Sequence, residues 1–344
     1  MSVPGLADAA SLTPKGEQYQ CYRTVTQNIS ASRHQGRMFF ITGPGGTGKS
    51  YLLHALQHWC ERSRDPCLLL APTGIAARNV DGNTIHSALS IYSNRGAYHT
   101  GLFRFGDQRK KDIEKKTVLI IDEVSMVDGV LLDYLSSLFA KLRRNNRPFG
   151  NMHVIVLGDL MQLPPVEGLK VFRASVWKLF HPIFLRQPQR QTNAKFFRIL
   201  KKIRFGITDS EVRDTLEERW RQYSPEHVMW NTTYLSSLRD EAAALNHAVL
   251  SGMPPENPMF VSKAEDFENG IRLQHLEHST VFRKGTNFAS SVVCTVGAKV
   301  MFLRNSMLID KGISNGSISV ITNLLPNDEV ETAFPNQGRP RSNS

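Results

Sequence analysis

The sequence predicts an α/β fold, a parallel β-sheet with helices on both faces. Three observations predict it. Short, wholly apolar runs alternate with helix-patterned segments through the first half of the chain, as strand–helix–strand units do. Those runs show no polar alternation, which suits strands buried on both faces. The first run opens into a glycine-rich loop, and the third ends in two carboxylates.

The elements follow in order. Residues 38–42 form the first strand, 50–60 a helix, 67–71 the second strand and 118–121 the third. Leu131, Leu135, Leu138 and Leu142 recur on one face of a helix over 131–142, and 153–157 is the fourth strand. Residues 95–108 read as a long polar loop with interleaved aromatics. Further helices are expected over 193–205, 210–221 and 238–250. In the first of these Phe196, Leu200 and Ile203 form an apolar stripe, with Arg198, Lys201, Lys202 and Arg204 mostly off it. Trp220, Tyr223 and Trp230 are expected in the core. The Val/Ile-rich stretch 292–322 reads as strands, and the polar, proline-bearing stretch 326–344 as a disordered tail.

At 344 residues the chain suits about two domains. Its 41% apolar and 21% charged residues exclude a wholly disordered, collagenous or coiled-coil chain. No apolar run approaches the ~18 residues of a membrane span, and the first 18 residues lack a secretory layout. Cys21, Cys60, Cys67 and Cys294 form no CxxC pair, which points to a reducing, intracellular setting without a disulfide framework. His54 with His58, and His275 with His278, share helical spacing but lack a third ligand, so they read as surface histidines. Lys and Arg number 42 against 31 Asp and Glu, a net +11, which favours a polyanionic partner such as nucleic acid.

Gly43-Pro44-Gly45-Gly46-Thr47-Gly48-Lys49-Ser50 has the spacing of a phosphate-binding loop between a strand and a helix. Glycines let successive backbone N–H groups curl around a β-phosphate, and the following helix aims its positive end at the same anion. Lys49 would reach the β- and γ-phosphates of ATP, and the Ser50 hydroxyl would join the Mg²⁺ shell. Asp122, at the end of the third strand, would hold Mg²⁺. Glu123 would orient and deprotonate the attacking water. Gln162, in Gly158-Asp159-Leu160-Met161-Gln162-Leu163-Pro164-Pro165, would reach the γ-phosphate from the edge of the fourth strand.

These strings in this order resemble the Pif (petite integration frequency) family of DNA helicases, in the 5′-to-3′ branch of superfamily 1 with RecD. Ala71-Pro72-Thr73-Gly74-Ile75-Ala76-Ala77, Gly82-Asn83-Thr84-Ile85-His86-Ser87, Ile120–Val127, Gly158–Val166, Arg190-Gln191 and Ile203-Arg204-Phe205-Gly206 carry the resemblance beside the phosphate loop. Val296-Gly297-Ala298-Lys299-Val300-Met301 and Asn315-Gly316-Ser317 resemble later strands of a second motor domain. The resemblance covers about residues 12–325. It implies a P-loop NTPase with a RecA-like first domain over 1–184, a second, incomplete RecA-like domain over 185–324, and a tail over 325–344. It implies ATP-dependent 5′-to-3′ translocation on single-stranded DNA and action at duplex junctions. It also implies roles in repair, recombination or telomere maintenance, a monomer, and a nuclear location in a eukaryote. By resemblance Gln18 reads adenine, Arg190 is offered across the cleft by the second domain, and Thr73, Asn83 and His86 grip single-stranded DNA. Tyr92, Tyr98, Phe103 and Phe105 with Arg95 and Arg104 are candidates for base stacking, with anchoring of their own loop the plainer role.

The family's late strings, Thr-x-His-Lys-x-Gln-Gly and a Ser-Arg pair, do not occur at family-like positions. The expectation is therefore weak ATP hydrolysis without strand separation. An ATP- and DNA-binding remnant is the alternative reading. A ring-forming AAA-type ATPase is a further one, but it would carry Asn where this chain has Gln162, and a helical lid.

Overall fold

The computed structural model describes residues 12, 16–32, 35–94, 97–103, 108–222, 233–253, 257, 259–263, 265, 267, 268, 271, 272, 291–303, 313, 317–325 and 329–334. The chain divides into two compact units, Val3–Asp214 and Thr215–Ser344. That division falls C-terminal to the sequence-based one after residue 184.

The first unit runs α1 (Glu17–Ala31), β1 (Met38–Thr42), α2 (Lys49–Ser63), β2 (Cys67–Ala71), α3 (Gly74–Asn79), β3 (Asn83–Thr84), α4 (Ile85–Ala88), β4 (Ile91–Asn94), β5 (Ala97–Thr100), α5 (Gln108–Glu114), β6 (Val118–Ile121), α6 (Gly129–Leu142), β7 (His153–Gly158), β8 (His181–Phe184), α7 (Ala194–Arg204) and the start of α8 (Ser210–Gln222), which runs on past Asp214. Six strands form one sheet in the order β3-β2-β6-β7-β1-β8, with every pair parallel.

Both faces of this sheet are covered, as the unbroken apolar runs require. Leu119 and Ile121 of β6, with Val154 and Val156 of β7, pack on Leu131, Leu135 and Phe139 of α6. Val118 and Ile120, with Ile155 and Leu157, face the other way, onto Leu52, Leu53 and Leu56 of α2 and Val25 and Ile29 of α1. The period of two along each strand thus divides one apolar run between two cores. Each fully buried side chain of this size contributes roughly 1.5–3 kcal/mol. In register, Thr42 pairs with Gly158 and Ile121 with Val156. The C-terminal ends of β1, β6 and β7 therefore lie side by side, where open parallel sheets bind ligands.

The second unit contains α9 (Arg239–Ser251), β9 (Met259–Lys263), β10 (Phe267–Glu268), β11 (Ile271–Arg272), β12 (Ser291–Thr295), β13 (Lys299–Met301), β14 (Ile318–Leu325) and β15 (Glu329–Ala333). Its pairs are antiparallel: β9 with β12, β10 with β11, and β13-β14-β15. Cys294, Ala298 and Ile321 are buried together, with Leu250, Met253 and Phe260 packed against them.

Three expectations are corrected. The stretch 95–108 is not one loop, because β5 pairs with β4 from Ile91↔Thr100 to Asn94↔Ala97. The tail is not wholly disordered, because β15 completes its backbone hydrogen bonds on β14, and a ladder needs no apolar composition. Trp220 is 75% exposed rather than core. The helix carrying it, α8, buries only Val212, about two turns earlier. The stripe Phe196, Leu200 and Ile203 is also substantially exposed, while Ile199 is the buried residue of α7. Arg95, Arg104, Phe105, Tyr223, Trp230, His275, His278, Asn315 and Gly316 lie outside the described residues.

Candidate nucleotide-binding site

The loop after β1 has the backbone its glycines predict. Gly46 and Gly48 have φ of +84° and +80°, a left-handed region that L side chains rarely adopt. A Cβ on Gly48 would collide with the Gln18 amide, and one on Gly46 with the Gln191 side-chain oxygen. The Thr47 hydroxyl donates to Pro44 O at 2.9 Å, closing the loop on itself. Lys49 opens α2. Its ammonium donates to Gly43 O at 2.7 Å and Pro44 O at 3.2 Å. Burial holds its pKa below the usual lysine value, against the opposing pull of Asp159, Glu123 and Asp122.

Asp122 is buried at the end of β6, its N–H donating to Leu70 O at 2.9 Å. Burial pushes its carboxyl up to about 6. Glu123 follows with φ +49°, a conformation that costs a non-glycine residue about 1–3 kcal/mol and recurs at functional sites. That bend ends the strand and starts the turn Val124–Met126. Ser50 and Asp122 are hard oxygen donors of the kind Mg²⁺ takes. A buried carboxylate whose charge its neighbours only partly offset suits a divalent cation.

One cavity of about 520 Å³ gathers Gln18, Lys49, Ser50, Glu123, Gln162 and Arg190, together with Gly45, Gly46 and Gly48. Gln18, expected to read adenine, spends its Nε2 on Thr47 O at 3.1 Å and Gly48 O at 3.2 Å. Arg190, expected on the second domain, belongs instead to the compact unit that holds the loop. The reason is a run of backbone hydrogen bonds. Leu185 N–H donates to Thr42 O, and Gln189 and Arg190 N–H both donate to Gly46 O, at 2.7 and 3.0 Å. The Glu17 carboxylate accepts the N–H groups of Arg186 and Gln187 at 2.6 and 2.8 Å.

Sequence reasoning missed a pair beside this cavity. Asp159, immediately after β7, is fully buried. Its carboxylate accepts Met161 N–H and Gln162 Nε2–H, each at 3.1 Å, and pairs with Arg204 from the end of α7. Burial alone would raise its pKa, but Arg204 and the two N–H donors outweigh burial and hold it below the usual range. The signal for Asp159 was present, since it closes an apolar strand as Asp122 does. Nothing local marked Arg204 as its partner.

The residues expected to grip DNA are not part of this cavity. They belong to the β3–β2 edge of the sheet. The Thr73 hydroxyl caps α3, accepting Ala76 N–H at 3.2 Å. Asn83 is exposed on β3, and His86 is exposed on α4. Among the aromatics, Tyr98 anchors its hairpin by donating to Asp128 at 2.9 Å. Tyr92 stacks on His99, ring centres 5.6 Å apart. Phe103 lies under the ammonium groups of Lys141 and Lys110, at 4.4 and 5.4 Å. No helix among the described residues is long and apolar enough to cross a membrane.

Residues 14–214 match the family model described as PIF1-like helicase. The chain is 29% identical, over 91% of its length, to an ATP-dependent DNA helicase PIF1 of Saccharomyces cerevisiae, of which it covers 37%. It is 28% identical to the Homo sapiens ATP-dependent DNA helicase PIF1, over 83% of this chain and 44% of that one. The chain thus spans less than half the length of these curated relatives. Among solved structures, the crystal structure of Pif1 helicase from Candida albicans superposes with a TM-score of 0.69 at 27% identity, covering 92% of this chain and 70% of that one. A Bacteroides Pif1 bound to ssDNA gives 0.66 at 25% identity, covering 95% and 73%.

Proposed function

The chain belongs to the PIF1-like helicase family, and from that premise we propose that it is an ATP-dependent DNA helicase, or a large part of one. The observation that carries this is one cavity shared by the phosphate loop, Glu123, Gln162 and Arg190, at the edge where the buried Asp122 and Asp159 end their strands.

In this reading, the backbone N–H groups of residues 45–50 and the Lys49 ammonium bind the phosphates, and Gln18 lies on the adenine side. Ser50 and Asp122 would hold Mg²⁺, which would supply positive charge beside the phosphates. The Glu123 carboxylate takes a proton from the attacking water. The Gln162 amide donates to the γ-phosphate, and Arg190 stabilises the charge that develops there. Single-stranded DNA, held by the basic surplus with Asn83, His86 and the Thr73 region, stimulates turnover. Translocation runs 5′ to 3′ toward duplex junctions, by a monomer, in the nucleus where the cell has one. Residues after 214 open a second RecA-like domain.

An ATPase assay with Mg²⁺, with and without single-stranded DNA, tests this. Hydrolysis should rise with DNA and fall away in Glu123→Gln, while that variant still binds ATP. No nucleotide binding by the wild type, or hydrolysis unaffected by Glu123→Gln, would overturn it. One observation favours a second reading, binding of ATP and DNA without strand separation: the described residues of the second unit bury only a small core. Unwinding of a 5′-tailed duplex separates the two.

A further inference from the structure

Helix α7 is tied to the phosphate site at both ends. Just before it, Gln189 and Arg190 donate backbone N–H groups to Gly46 O. At its last residue, Arg204 reaches Asp159. The helix is also tied to the start of α8. Arg198 pairs with Glu211, while Lys202 donates to Asp209 at 2.6 Å and to Glu211 at 2.5 Å. These outer pairs are partly exposed and individually weak. The Arg204 pair is not, because Asp159 has no access to water.

The two oxygens of Asp159 have different partners. Oδ1 accepts Met161 N–H. Oδ2 is shared by Gln162 Nε2 and an Arg204 guanidinium nitrogen. Gln162 is tied to Asp159 a second time, its own N–H donating to Asp159 O at 2.8 Å. An amide side chain presents either a donor nitrogen or an acceptor oxygen, depending on its flip. Here the nitrogen faces the phosphate loop: a Cβ placed on Gly45 would lie 3.8 Å from Gln162 Nε2. An ionised carboxylate only accepts hydrogen bonds, so Asp159 selects that flip. It occupies one N–H of Nε2 and leaves the other for an anion on the loop. In the opposite flip an oxygen would face the phosphate and repel it. A fully buried carboxylate needs a counter-charge to stay ionised and in place, and Arg204 supplies it.

We propose that Arg204 is a positioning residue for γ-phosphate recognition: through Asp159 it holds the Gln162 amide with its donor toward the phosphate loop. The proposal rests on the nucleotide reading of the cavity given above. Arg204 touches no nucleotide itself. It acts on the one feature that distinguishes ATP from ADP, so its removal alters the preference between them rather than nucleotide binding as a whole.

The test is titration of a non-hydrolysable ATP analogue and of ADP, each with Mg²⁺, into the wild type, Gln162→Ala, Arg204→Gln, Arg204→Lys and the double variant Gln162→Ala/Arg204→Gln. Arg204→Gln should lose about 10- to 100-fold of the preference for the analogue over ADP, the range of a hydrogen bond to a charged group, with ADP affinity unchanged. Gln162→Ala should lose as much, and the double variant no more than either, because both changes disable one device. Arg204→Lys, which keeps the charge, should recover part of the preference. If Arg204→Gln does not fold, Asp159→Asn examines the same chain of contacts and should also lose the preference. Equal weakening of analogue and ADP, or losses that multiply in the double variant, would overturn the proposal. A wild type that binds neither nucleotide overturns the site reading itself, and the proposal with it.

Discussion

In the first unit every residue of β6 and β7 is buried. In the second, β14 buries only Ser319 and Ile321, and β15 buries no residue fully. A strand clamped by side chains on both faces cannot slip in register or tilt, because a one-residue shift would exchange its two cores. Its last residue is therefore fixed in space, and so is whatever follows it. Asp122 and Asp159 are the residues that follow β6 and β7. A strand covered on one face holds its register mainly through its ladder, and the β14–β15 ladder is interrupted by a register shift between Ile321 and Asn323. Chemistry that depends on placing charged groups within a fraction of an ångström belongs at the ends of the first kind of strand.

The comparison breaks most sharply at the phosphate loop. Lys49→Ala should abolish both nucleotide binding and turnover. Glu123→Gln should cut turnover by about 10²–10⁴-fold while ATP still binds. Equal loss of binding in the two variants, read by nucleotide titration beside an ATPase assay, would show that their roles are not divided as proposed. Arg190→Ala should come next, lowering turnover on the order of 10²-fold with ATP affinity nearly kept. Unchanged turnover would make Arg190 a surface charge held nearby only by its backbone.

Core substitutions sharpen the contrast between the units. Ile155→Ala empties a site buried on the α2 side of the sheet and should cost about 2–5 kcal/mol by denaturant titration, taking nucleotide binding with it. Ile321→Ala should fall near the bottom of that range, about 2 kcal/mol, because its small cluster can collapse, and nucleotide binding should survive. A nucleotide site that melts with Ile321→Ala would erase the distinction.

The two buried carboxylates should respond to pH in opposite ways. Asp122 has its folded pKa raised by burial from 3.8 to about 6. The folded state therefore binds its proton more tightly than the unfolded state, and stability falls as pH rises from about 4 to 6. Asp122→Asn escapes this and, without Mg²⁺, should be more stable than wild type at pH 7 by at most about 3 kcal/mol, with little difference at pH 3.5. Asp159 has its pKa held down, so its contribution is present above about pH 4 and lost as pH falls through its folded pKa. Chelator-treated denaturation curves of the wild type and Asp122→Asn at the two pH values check the first sign, and the same comparison with Asp159→Asn, continued to lower pH, checks the second.

The smallest effect lies at the β3–β2 edge. Thr73→Ala should cost about 1 kcal/mol through its lost cap, whereas Thr73→Ser should keep the cap. Asn83→Ala with His86→Ala should weaken single-stranded DNA binding without changing its salt slope, which is ~0.7 per phosphate neutralised, because neither residue brings a formal charge at neutral pH. A changed slope would mean that the cations near this edge had moved.

The parts of the site that were legible in the sequence are those in which consecutive residues determine their own backbone. Gly46 and Gly48 adopt left-handed φ that only glycine takes without cost, so the loop could be read from its letters. The apolar runs placed β1, β2 and β6 to the residue, because burial on both faces leaves no polar position inside them. Asp122 and Glu123 followed as the first charges after such a run. What the sequence did not show was which distant groups those strand ends would meet. Arg204 is 45 residues from Asp159, and the string Ile203-Arg204-Phe205-Gly206 that contains it names no partner for its guanidinium. Arg190 could be read as a phosphate-facing arginine, but its membership of the first unit came from backbone bonds to Gly46. Trp220 could be read only as apolar, and its exposure was decided by which face of α8 found a partner. Local strings determined the loop, the strands and the carboxylates, because dihedral preference and side-chain periodicity act over a few residues. The tertiary structure alone decided the Asp159–Arg204 pair, the orientation of Gln162 and the place of Arg190. The first two depend on a buried charge finding its counter-charge, and the third on backbone N–H groups finding Gly46 O; those choices are made only when distant segments pack.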